Sequence, residues 1–149
     1  MAKEITIQAI LALSRDVLVL QATGSKQNDQ TGVKSIQQQV SAPFANAGTN
    51  ATKIIDPSAL PLSTLGYLFV KNTAQPLAGT GGVDQYIDVS LINQINLTPY
   101  ANAFAILKPQ EFALIAVNKG TVPTIYARTR STGDSDVGAA SVLVCAVEI

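Results

Sequence analysis

At 149 residues the chain fits a single domain, 1–149, long enough to bury roughly 70% of the surface that its unfolded form exposes. Ten basic and ten acidic side chains cancel, which excludes the electrostatic footprint of a direct nucleic-acid binder or of a binder of anionic membranes. Charged residues are only 13% of the chain, against about 25% in an average globular domain, so the surface is polar, weakly charged and little protected against association.

Taken in order, Ile5, Ile7, Ala9, Leu11 and Leu13 fall on alternate positions with Thr6 and Gln8 between them, which predicts a strand of about ten residues. Ser14-Arg15-Asp16 breaks it, and Val17 to Ala22 resumes it, a pattern that reads as a hairpin. A helix over Ile7 to Leu20 is the alternative, disfavoured by the β-branched content. Thr23 to Gly32 has little to bury and reads as an exposed loop. Residues 1–40 are thus either part of the core or an oligomerisation arm. Val33 to Val40 reads as a solvated edge strand whose glutamines Gln37, Gln38 and Gln39 are candidates for an interface, because buried amides need partners. A loop follows from Ser41 to Asn50. Thr52 to Ile55 is a short strand, ended by Asp56-Pro57, and Pro57 and Pro61 leave room for one helical turn at most.

Leu65 to Asn72 is the most compact block of strand formers, entered at Gly66 and left at Asn72. With Tyr67 and Phe69 on one face and Leu68 and Val70 on the other, it is expected to be a central strand covered on both sides. After a glycine-rich loop, Val83 to Val89 alternates, with Asp84, Tyr86 and Asp88 on a wet face. Ser90 to Asn102 fits either a helical turn or an irregular crossover. Phe104 to Leu107 and Phe112 to Val117 flank Lys108-Pro109-Gln110-Glu111, and are expected to pair as a hairpin. Pro123 to Arg130 sets Ile125, Ala127 and Thr129 against Tyr126, Arg128 and Arg130, and Ala139 to Glu148 closes the chain. About nine strands without a long helix predict an all-β fold, a two-sheet antiparallel sandwich of jelly-roll kind.

The chain has no histidine, which removes imidazole-activated nucleophiles and imidazole zinc sites. Asp84 and Asp88, four residues apart on a strand, stand about 13 Å apart, too far for the usual glycosidase pair. Asp134-Ser135-Asp136 lacks the glycine placement of a calcium loop, and Gly79 to Gly82 lacks the ending of a phosphate loop. The glycosylation tripeptides at Asn50 and Asn96 stand without a secretory signal and read as chance matches. Cys145, in an apolar run, reads as a small buried hydrophobe. No run of eighteen apolar residues suggests a membrane helix. Arg128 and Arg130 beside Tyr126 form a small patch fit for a carboxylate or a sugar. No cofactor, no metal and no enzymatic activity is expected.

The blocks Gly66-Tyr67-Leu68-Phe69-Val70-Lys71-Asn72, Tyr86 to Val89, Phe104 to Phe112 and Ile125 to Arg128, in that order, give the last ninety or so residues a resemblance. They resemble the small β-sandwich virion proteins of tailed bacteriophages, of the capsid decoration or cement kind. In similar sequences the turn runs Leu-x-Pro-Gly-Glu; here Pro109 and Glu111 are kept, Gln110 stands at the glycine position, and Gly66 and Asn72 bound the strand. The resemblance implies a protein made in the host cytoplasm that coats the capsid exterior, commonly as a homotrimer, bridging subunits of the major capsid protein. A carbohydrate-binding sandwich with Tyr86 or Tyr126 as stacking platform, or a head-completion or tail component, is the alternative.

Overall fold

The computed structural model describes residues 4–15 and 18–29 as backbone, and residues 35–44, 51–59, 62–76, 84–91, 103–117, 122–130 and 138–148 in full. Among them are ten strands and no helix: β1 (Glu4–Arg15), β2 (Leu18–Asp29), β3 (Ser35–Ala42), β4 (Thr52–Ile55), β5 (Tyr67–Asn72), β6 (Tyr86–Ser90), β7 (Ala103–Leu107), β8 (Phe112–Ala116), β9 (Ile125–Arg130) and β10 (Ala140–Val147). β1 and β2 make a two-stranded antiparallel sheet of their own. The other eight form two four-stranded antiparallel sheets, β3-β10-β5-β8 and β4-β9-β6-β7.

The pairing of these eight is nested. β3 pairs with β10, β4 with β9, β5 with β8 and β6 with β7, as in one long double-stranded ribbon. The ribbon is rolled so that β10 also pairs with β5, and β9 with β6. This is the jelly-roll arrangement, a double-sheet sandwich built from two Greek keys. β3 lies beside β4 at one flank of the sandwich and β7 beside β8 at the other.

Alternation along the strands makes the core. Ile125, Ala127 and Thr129 of β9 are buried, as are Val142, Val144 and Ala146 of β10 and Leu68 and Val70 of β5, while the residues between them are half-buried. Ile87 and Val89 face them from β6 and are fully buried. A side chain such as Leu68 contributes about 2 kcal/mol by this burial.

Several expectations are corrected. Residues Thr23 to Asp29 are strand, not loop, because each has a ladder partner in β1, from Thr23 opposite Ile10 to Asp29 opposite Glu4; ladder bonds are made by the backbone and need no apolar side chains. The sandwich has eight strands, not about nine, with the hairpin outside both sheets. β7 and β8 do not pair; the turn between them carries the chain from one sheet to the other. Pro109 leads Gln110 at φ 67°, the geometry of a type II turn, which splays its flanking strands instead of closing a hairpin. Cys145 is half-buried, on the outward positions of β10 between Gln37 and Phe69, and this partial burial pushes its thiol up. β5 is central, yet only Leu68, Val70 and Asn72 are buried; Tyr67, Phe69 and Lys71 stay half-open on the other face. The segments 77–83, 92–102, 118–121 and 131–137, with the glycine-rich, crossover and Asp134-Asp136 readings, lie outside the described residues.

Candidate interaction surfaces

One end of the sandwich is held by buried polar side chains. Asn72 ends β5, and its Nδ2 donates to the carbonyls of Gln85 at 2.7 Å and Leu107 at 3.1 Å, reaching from one sheet to the other. Its Oδ1 accepts from the Ala74 N–H at 3.0 Å, an Asx turn. Its backbone N–H donates to the Glu111 carbonyl, and its carbonyl accepts from the Gln110 N–H. Glu111 Oε2 accepts from the Lys108 N–H at 2.9 Å, closing the turn. Thr129, buried on β9, donates to the Ala42 carbonyl and accepts from the Ala140 N–H at 2.9 Å, a second tie between sheets. At the opposite end Gly66 donates to the Val147 carbonyl and accepts from the Val117 N–H. Glu148, only 3% exposed, accepts from the Ser63 N–H there.

The three glutamines of β3 do not form one surface. Gln37 and Gln39 stand exposed, Gln39 donating to the Ser141 hydroxyl at 2.6 Å. Gln38 occupies the inward alternation and donates to the Ile54 carbonyl at 2.7 Å, so it ties β3 to β4. Tyr126, Arg128 and Arg130 do share the outward positions of β9. The two guanidiniums, however, already hold a carboxylate of the chain itself: Asp88, 2% exposed, meets Arg128 and Arg130 at 3.0 Å each. The wet face expected for β6 is therefore dry at Asp88. Arg130 also lies 5.2 Å from the centroid of the Tyr86 ring, which engages one of the two candidate sugar platforms. On β4, the Lys53 ammonium at 2.8 Å, with the Ser58 hydroxyl and N–H, holds the Asp56 carboxyl down at about 2. The same bond raises Lys53.

The flank of β7 and β8 has another character. The exposed large hydrophobics among the described residues are Leu91, Phe104, Ile106, Phe112 and Leu114, 37% to 63% open. Four lie on these two edge strands and the fifth directly after β6. The Phe112 ring stacks on Phe69 at 5.5 Å, extending the apolar surface onto the open face of β5. Beside it a cavity of about 350 Å³ is lined by Leu68, Leu91, Phe104, Ile115, Val117 and Ile125. The sequence signal for this surface is that the edge strands, Ala-Phe-Ala-Ile-Leu and Phe-Ala-Leu-Ile-Ala, carry no charge at all; it was hidden by the expectation that they pair with each other. No cluster of His, Cys, Asp and Glu able to hold a metal is found among the described residues.

No protein-family model, no curated protein and no solved structure matches this chain.

Proposed function

We propose that the chain is a structural virion protein that decorates or cements a phage capsid shell from its exterior, bridging neighbouring subunits of the major capsid protein without catalysis. The observation that carries the reading is how the buried polar groups are used. Asn72, Thr129, Asp88 and Glu148, the buried polar side chains among the described residues, are engaged in holding strands, turns and sheets together. The described cavity is lined with apolar side chains and has no reactive group to present to a substrate.

A rigid jelly roll with a weakly charged surface suits a protein whose work is holding. A ligand that binds only an assembled shell stabilises it by mass action, and several linked copies do so strongly, so modest contacts suffice. The capsid as partner rests on the resemblance of the blocks from Gly66 to Arg128. The turn at its centre supports that reading, since Gln110 adopts the positive φ that the glycine of similar sequences supplies.

The test is to add purified protein to preassembled empty shells and follow shell disruption by heat. Saturable binding with a raised disruption temperature is expected. Shells that neither bind the protein nor gain heat resistance count against the role.

A further inference from the structure

An edge strand offers unpaired N–H and C=O groups, and folded proteins protect such edges with charge, proline or a cover. On one flank β4 carries the charge of Lys53, and the exposed positions of β3 are polar, with Gln37 and Gln39 among them. β7 and β8, on the other, break it in both sheets at once, with five strand positions in each free of charge and proline and with Phe112 63% open. Such a flank needs a cover.

The same chain carries an element that needs a surface. The β1–β2 hairpin pairs with no strand of either sheet, and a lone two-stranded sheet is marginal in water. Its register is polarised. At the base, Glu4 pairs with Asp29, Thr6 with Gln27 and Ile7 with Lys26; in the outer half, Leu11 pairs with Ala22, Leu13 with Leu20 and Ser14 with Val19, before Arg15 with Leu18 at the turn. The apolar pairs are thus in the half far from β3, where the hairpin joins the sandwich. Strands of 12 residues span about 40 Å, while the five residues of β7 or β8 span about 17 Å. β1 and β2 make extended contact only with each other, so the hairpin is not seated on the β7–β8 flank of its own chain.

We infer that the apolar-rich outer half of the β1–β2 hairpin docks on the β7–β8 flank of a second copy of this chain, over the cavity beside Phe104 and Leu91. The contact is heterologous, tip to flank, so it closes into a ring instead of a two-fold pair when the rotation permits. It names the chain's own partner and stands apart from what the assembled protein coats.

Sedimentation of the full-length protein over a concentration series tests it. Wild type forms a defined oligomer. Leu13→Asp with Leu20→Asp, altering the tip, and Phe112→Asp with Leu114→Asp, altering the flank, each give monomers; circular dichroism and the melting curve establish that both remain folded. Mixing the two variants restores a one-to-one complex, because the intact tip of one meets the intact flank of the other. Hydrogen exchange on wild type, which needs no variant, shows residues 18–22 and 112–116 gaining protection together as concentration rises. A monomeric wild type, a tip variant that associates like wild type, a mixture that stays monomeric, or exchange at 18–22 that is independent of concentration overturns the inference. A monomer that still bound shells would do so while leaving the proposed function intact.

Discussion

The side-chain amide of Asn72 donates to the main-chain carbonyl of Leu107 at 3.1 Å, joining β5 of one sheet to β7 of the other in a fully buried position. It also bonds two further main-chain groups, the Gln85 carbonyl and the Ala74 N–H. Asn72→Ala strands two carbonyls and an N–H, and is expected to cost about 3 kcal/mol, a fall of about 10 °C in melting midpoint. Thermal unfolding followed by circular dichroism checks it; a loss within the error of the measurement would show that the amide is not a tie between the sheets.

Gln110 holds φ at 67°, where a non-glycine side chain is strained, and its Nε2 donates to the carbonyls of Thr73 at 3.1 Å and Ala74 at 2.7 Å. Two effects oppose each other. Gln110→Ala keeps the strain and removes both bonds, so it is expected to destabilise by about 2 kcal/mol. Gln110→Gly removes the bonds and the strain together and is expected to cost less than the alanine variant. Chemical denaturation of both variants measures the order, and the reverse order contradicts the account.

Asp88 is enclosed by Arg128 and Arg130, themselves nearly covered. Removing one member of a buried ion cluster leaves the remaining charge without compensation, so Asp88→Asn is expected to lose about 3 kcal/mol. Arg128→Lys is expected to retain the charge and lose geometry, with a smaller effect. If Asp88→Asn melts with wild type, the cluster contributes nothing to stability.

The sequence made the inward faces legible because alternation alone marks them: Ile125, Ala127 and Thr129 of β9, or Leu68 and Val70 of β5, are buried where the period of two places them. Which strands pair was not legible in the same way. Lys108 to Glu111 has the composition of a hairpin turn, and only the strand order, with β7 and β8 in different sheets, reveals that the turn changes sheets. The partner of Asp88 was hidden too. Arg128 and Arg130 lie 40 and 42 positions away, and the β6–β9 register that sets them beside the carboxylate is a tertiary fact. Likewise Thr23 to Asp29 became strand through the register of β1, against their own turn-forming composition.

The Asp56 carboxyl, held at about 2 by Lys53 and Ser58, lies below its ordinary 3.8. A depressed carboxylate stabilises the fold above its unfolded value, and that contribution is lost as pH falls from about 4 through about 2. The pair is exposed, so the effect is small and weakened by salt. Wild type and Asp56→Asn are expected to differ in melting midpoint at about pH 6 and low salt, and to converge as pH approaches about 2. A difference that persists unchanged at the acid end would assign it to something other than this carboxylate.

The central claim is that the chain's work is to hold many copies of another protein in place. Its most direct measurement is the copy number of this chain per virion by quantitative mass spectrometry. Hundreds of copies, in fixed proportion to the major shell protein, are the expected result. A handful per particle, as at a portal or tail, or none in the purified virion, would contradict it.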